Sequence, residues 1–143
     1  LIGDDRVFFA DEAGAAMYGN MTEDQFVETS GQVFEAVFAD EIAVKLRRML
    51  TIEQYRGEKQ AELFRAVSFE NSLAFQTQLF QSMIRAGYFK AGDPEMMALE
   101  FYAPIFLIFY RFGGDADGVA RAKELFMRHV RHFSRTYAAP KRA

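Results

Sequence analysis

His129 and His132 stand three residues apart, a spacing that lets two imidazoles share one helix face and hold a metal ion. A third ligand is missing nearby, because Glu124 and Asp117 lie on the same stretch at poor offsets. Two histidines beside Arg128, Arg131 and Arg135 fit a surface or an interface better, so neither a metal nor another cofactor is expected. Glu53, in the run Leu50-Thr51-Ile52-Glu53-Gln54-Tyr55, is a candidate buried acid. Its simpler role is to pair with Arg56 or Arg47. Ser30, Ser68, Ser72, Ser82 and Ser134 all fall in helical stretches, none in the Gly-x-Ser-x-Gly turn that exposes a nucleophile. There is no Gly-rich phosphate loop and no His-Glu-x-x-His. Cys is absent, which removes thiol chemistry and disulfides and fits a cytoplasmic location. Catalysis has little support; an enzyme would have to work through Glu53 or the histidines.

The elements that carry these residues are helical, with apolar positions recurring at helical spacing and no sustained alternation for a strand. A short helix is expected around Val7–Tyr18, broken by Gly19-Asn20. Thr22 and Gln25 form a capping box that opens a helix over 22–39. After a joint near Asp40, a helix over 41–56 carries Ile42, Leu46, Met49, Leu50 and Tyr55 on its apolar face, with Arg47 and Arg48 opposite. Gly57 is placed to stop it in a left-handed conformation. One long helix follows over 59–86, apolar on two sides and ended by Gly87. Asp93-Pro94-Glu95 starts the next with an N-cap acid and a proline in the first turn. Asp115 or Asp117 caps the last helix, over 117–137, and the tail from Ala138 frays.

The helix at 94–112 is the most informative. From Met96 to Tyr110 its one charge is Glu100. A helix apolar on every side must be covered on every side, which in a chain of this length points to a second subunit. Pro104 removes one of its hydrogen bonds and should kink it near residue 100.

Composition bounds the rest. Half of the 143 residues are hydrophobic, with sixteen Phe, six Tyr and no Trp, enough for one domain with a wide core or a pocket for apolar guests. The longest uncharged apolar run, Phe101–Tyr110, is half of the ~20 residues a membrane-spanning helix needs. Residues 1–115 carry a net −8 and residues 116–143 a net +5, together the −3 of the chain. The acidic body repels phosphate backbones, and the basic end suits a solvated helix face. No segment has the two short helices and tight turn of a helix-turn-helix.

Two stretches carry a resemblance. Arg47-Arg48-Met49-Leu50-Thr51-Ile52-Glu53-Gln54-Tyr55-Arg56 resembles part of the C-terminal domain of many TetR-family regulators. So does Ala98-Leu99-Glu100-Phe101-Tyr102-Ala103-Pro104-Ile105-Phe106, following Gly92-Asp93-Pro94-Glu95. Both lie in the expected order, separated by one long helix, and the match covers roughly residues 22–137. Residues 1–21 form a lead-in outside it.

The resemblance implies an all-α, TetR-like regulatory domain over 22–138. Helices 22–39, 41–56 and 59–86 would form a triangle around a cavity. Helices 94–112 and 117–137 would build a four-helix bundle with a partner copy. The family's N-terminal helix-turn-helix domain is absent from this chain, so operator DNA would be bound only through that missing part. The implied function is bacterial transcription regulation, in which a small hydrophobic or aromatic effector in the cavity controls DNA binding allosterically. Expected cavity residues are Phe34, Phe38, Met49, Tyr55, Phe64, Phe69, Tyr102 and Phe106. Expected homodimer contacts are Phe101, Ile105, Ile108, Phe109, Phe126, Val130 and Phe133. Aromatic walls with local acids would suit flat lipophilic cations, and the same walls suit neutral hydrophobes. The rival reading is a helical lipid- or small-molecule carrier with no DNA-binding partner domain.

Overall fold

A computed structural model describes residues 12–112 and 116–140, and among them the regular secondary structure is helical, with no strand. The chain runs α1 (Glu12–Gly19), α2 (Glu23–Phe38), α3 (Glu41–Glu53), α4 (Glu58–Arg65), a π-helical turn (Ala66–Glu70), α5 (Asn71–Arg85), α6 (Pro94–Arg111) and α7 (Ala116–Tyr137). Residues 7–11 of the expected first helix, the Asp115 cap and residues 141–143 lie outside the described residues.

Local chemistry sets most boundaries. The Thr22 hydroxyl accepts from the Gln25 N–H at 3.1 Å, and the Gln25 amide oxygen accepts from the Thr22 N–H at 2.9 Å, which completes the capping box. Asp40 accepts from the Ala43 N–H at 2.8 Å and starts α3. Asp93 accepts from the N–H groups of Glu95 and Met96 ahead of α6. Gly87 ends α5 at φ 84° while the Tyr88 N–H returns to the Met83 carbonyl. Gly57 does not play the expected left-handed part. Its φ of 170° is extended backbone, and it precedes α4 as the N-cap instead of closing α3.

The long helix expected over 59–86 is interrupted. At the π turn the Asn71 N–H bonds the Ala66 carbonyl five residues back. In an α-helix, residues five apart point ~140° away from each other. The π turn brings Phe64 and Phe69 together, with their rings edge-on at 5.6 Å.

In the packed domain α2 lies along α7, α5 along α6, and α6 also meets α7. Helix α1 rests on α5, and α3 lies against α4 and α2. Gly31 permits the close approach of α2 to α7, because a Cβ there would stand 2.9 Å from the Met127 Sδ. Ion pairs edge the same seam: Lys123 with Glu35 at 2.7 Å, Arg131 with Glu23 and Asp24 at 2.8 Å, and Arg135 with Glu23 at 2.9 Å. Part of the basic end is thus engaged with acids of α2. The Tyr137 hydroxyl donates to Glu100, the lone charge in the middle of α6. An isolated bridge between Phe89 and Ala138 ties the α5–α6 connection to the end of α7.

The interior has two clusters. One, between α2, α6 and α7, includes Phe34, Phe38, Tyr102, Ile105, Phe109, Phe126 and Val130. The other gathers Ala15, Leu79, Phe80, Met83, Phe89, Met97 and Phe133. Phe34 stacks on Phe126 at 4.3 Å and on Phe38 at 5.3 Å.

Candidate ligand cleft

A cleft of about 370 Å³ opens where α2, α3 and α6 converge. That volume falls at the small end of ligand pockets, which run from ~300 to 1,000 Å³. Phe38 closes it from the end of α2, and Phe109, Tyr110 and Phe112 from the end of α6. Helix α3 supplies Val44, Arg47, Arg48, Thr51 and Ile52. These five follow the i, i+3, i+4, i+7, i+8 spacing of a single helix face.

The face that α3 turns inward differs from the expected one. The apolar pattern of the sequence favours Ile42, Leu46, Met49, Leu50 and Tyr55. Of these Leu50 is buried and Leu46 half-buried, whereas Ile42, Met49 and Tyr55 are exposed, Tyr55 at 87 %. Arg47, placed on the outer side by the same pattern, points toward the aromatic core. Its guanidinium carbon lies 4.6 Å from the Phe109 ring centroid and 6.0 Å from that of Phe38. The aliphatic stem of an arginine packs like an apolar residue and its planar head stacks on rings, so polarity alone misassigns the face.

The electrostatics of the cleft are set by Arg47. Burial holds its guanidinium below its ordinary range, against raising contributions from Tyr110 and Tyr102. Arginine starts so far above neutrality that it stays cationic. No ion pair to Arg47 is formed among the described residues, and the nearby Asp40 carboxylate caps α3. Arg48 adds a second positive charge, and among the described residues no carboxylate lines the cleft.

Two hydroxyls complete the polar side. Thr51 donates to the Arg47 carbonyl at 2.7 Å. That uses its only hydrogen, so in the 2.8 Å contact between Thr51 and Tyr110 the tyrosine donates. The relay Tyr110 to Thr51 to the Arg47 backbone joins α6 to α3.

The expected cavity residues separate into three groups. Phe34 and Phe38 are buried in the first core cluster, and only Phe38 of the eight lines the cleft. Phe64, Phe69, Tyr102 and Phe106 form a second aromatic chain, with Phe69 and Phe106 at 4.8 Å. The Tyr102 hydroxyl donates to the Ser68 carbonyl in the π turn, and burial pushes its phenol above the ordinary range despite a hydrogen bond involving Ser72. Met49 and Tyr55 stand apart on the outer face of α3.

The expected dimer contacts are turned inward. Ile105, Ile108, Phe109, Phe126, Val130 and Phe133 are buried in the chain's own core, and Phe101 is half-buried against it. Another side of α6 is left uncovered. Met96, Leu99, Ala103 and Leu107 are exposed and share one face, with Leu107 61 % accessible. Helix α6 is indeed apolar on both sides, but the core claims the side carrying the larger aromatic and β-branched residues.

The remaining candidates have local partners. Glu53 pairs with Arg56 at 3.3 Å. The His129 Nε2 lies 2.8 Å from the Phe101 carbonyl oxygen, one turn before Pro104, while His132 is exposed. Among the described residues no group of three or more acidic or imidazole side chains gathers to hold a metal, and no helix is long and apolar enough to cross a membrane. Comparison of the chain with protein-family models, curated proteins and solved structures finds no match.

Proposed function

We propose that this chain is the effector-sensing, dimerising part of a TetR-type transcriptional regulator, with the cleft between α3 and α6 as its effector site. The observation that carries the reading is the construction of that cleft. Aromatic walls from α2 and α6 face a cationic and hydroxyl-bearing edge from α3, the mixture typical of small-molecule sites.

The placement also offers a mechanism. Arg47 reaches α6 by resting on Phe109, and Thr51 reaches it by accepting from Tyr110. A molecule that entered between these groups would change how α3 sits on α6. It would bias the domain only to the extent that it binds one arrangement better than the other. The uncovered apolar face of α6 supports self-association, which would couple two such domains.

The test uses the intact gene product. On this reading the intact gene product is expected to carry a helix-turn-helix, and its affinity for DNA is expected to change when a cleft ligand is added. An intact protein that binds a ligand in the cleft but has no DNA-reading segment would replace this reading with that of a helical carrier.

A further inference from the structure

Resting on the cleft as the effector site, we propose that its effector is a lipophilic monoanion: a small carboxylate with an aromatic or aliphatic body. Three features argue for this class over the cations and neutral hydrophobes that the aromatic content alone would suggest. First, Arg47 and Arg48 both line the cleft, and among the described residues no acid does. A cationic guest would be repelled by both guanidinium groups.

Second, the Arg47 guanidinium carbon rests 4.6 Å from the Phe109 ring centroid, and among the described residues its N–H groups form no ion pair. They lie in the guanidinium plane and remain suited to a carboxylate, whose two oxygens match that fork. Third, the Arg47 charge is half-buried without an ion-pair partner among the described residues, and a desolvated charge costs stability unless something compensates it. The ring faces of Phe38 and Phe109 compensate in part, and an anion in the cleft would complete the pairing.

Apolar surface is supplied by Phe38, Phe109 and Phe112 together with Val44. Thr51 and Tyr110 stand at the polar edge, where breaking their mutual contact would free the Tyr110 O–H to donate to the same carboxylate. The head of the ligand would then compete with the relay that joins α3 to α6.

The experiment compares three probes with the same tail: decanoate, decan-1-ol and decyltrimethylammonium. Binding is measured by calorimetry, and the site is located by NMR contacts from the probe to the rings of Phe38 and Phe109. Decanoate is expected to bind at least about tenfold more tightly than the other two, the worth of one charge-assisted hydrogen bond. In R47Q that preference is expected to disappear while the decan-1-ol affinity stays within about threefold. R48Q, altering a more exposed side chain, gives a second reading if R47Q fails to fold. Equal binding of decan-1-ol, or tighter binding of the ammonium, would overturn the anion assignment and leave the cleft standing as a site. A preference for decanoate that survives in every folded arginine variant would also overturn it. No binding of any probe to a folded wild-type chain would sink both this proposal and the cleft reading beneath it.

Discussion

The Arg47 guanidinium stands 4.6 Å from the centroid of the Phe109 ring, so a cation of α3 uses the aromatic end of α6 as its seat. This contact works on two levels. In packing, it lets a charged residue occupy an inward position that would otherwise demand an apolar one. In function, it holds a positive charge at the edge of the cleft that joins α2, α3 and α6.

Replacing Arg47 by lysine tests the stacking. The charge remains, but the planar head that lies over Phe109 and Phe38 is lost. R47K is expected to lower stability by about 1 kcal/mol, within the range of a partly desolvated cation–ring contact. Urea unfolding followed by circular dichroism would read this directly. An unchanged midpoint would show that the ring contact contributes nothing to stability.

The relay between Tyr110 and Thr51 calls for a double-mutant cycle. Y110F and T51V each remove one partner of the 2.8 Å contact. Each is expected to cost about 1 kcal/mol, or ~3 °C in melting temperature for a domain of this size. The double variant should cost less than the sum, because the contact between the two hydroxyls is lost in either single variant and counts once in the double. Strict additivity would mean that α3 and α6 are not coupled through these hydroxyls.

How far the sequence reaches can be judged from neighbouring residues. Thr22, Asp40, Asp93 and Gly87 all act on backbone within a turn of themselves, so their effects are local and could be read in order along the chain. The π turn at 66–70 could not, because its Ser68 carbonyl and Phe69 ring answer to Tyr102 and Phe106 of another helix. The same holds for the inward face of α3. Val44, Arg47, Arg48 and Thr51 do have the spacing of one face, but only the aromatic end of α6 explains why that mixed face wins over Ile42 and Met49. That α6 has two apolar sides was legible; which of them the core would bury depended on α5 and α7.

Two residues first grouped together should therefore behave differently. Phe34 is 2 % exposed and stacked among Phe38, Phe109 and Phe126, whereas Tyr55 is 87 % exposed. F34A is expected to cost about 3–5 kcal/mol through lost burial and the cavity left behind. Y55A should stay within about 0.5 kcal/mol of wild type. Comparable losses in denaturant unfolding would contradict the placement of α3.

His129 gives a pH dependence with a definite sign. Burial lowers its pKa, a hydrogen bond with the Phe101 carbonyl opposes that shift, and the neighbouring His132 adds to it. The rings of Phe101 and Phe133 pack beside it and bring no charge. The folded chain thus takes up a proton there less readily than the unfolded chain, whose histidine titrates near the ordinary value of about 6.5. The stability this residue contributes is complete above that value and is lost as pH falls toward the depressed folded pKa. H129Q keeps a side-chain donor for the carbonyl and removes the titration. Between pH 7.5 and pH 5, the urea midpoint of wild type is expected to fall further than that of the variant. Parallel curves would show that His129 titrates alike in both states.

The open side of α6 is where self-association can be tested. If two copies meet there, Leu99 and Leu107 lie in the contact, and both are exposed in the single chain. Replacing each by lysine then leaves the core intact and places charge in the interface. Sedimentation equilibrium of wild type at micromolar concentration is expected to give twice the mass of one chain. The double variant should have a dimer dissociation constant raised at least about a hundredfold, since two buried unpaired charges from each copy cost several kcal/mol. Its helical circular dichroism should match wild type. Ile105, buried between α6 and its neighbours, supplies the contrast. I105K is expected to unfold the chain instead of splitting a dimer, because its side chain belongs to the core. A wild-type chain that sediments as a monomer, or a dimer indifferent to both lysines, would remove self-association through this face and leave the exposed stripe for another partner.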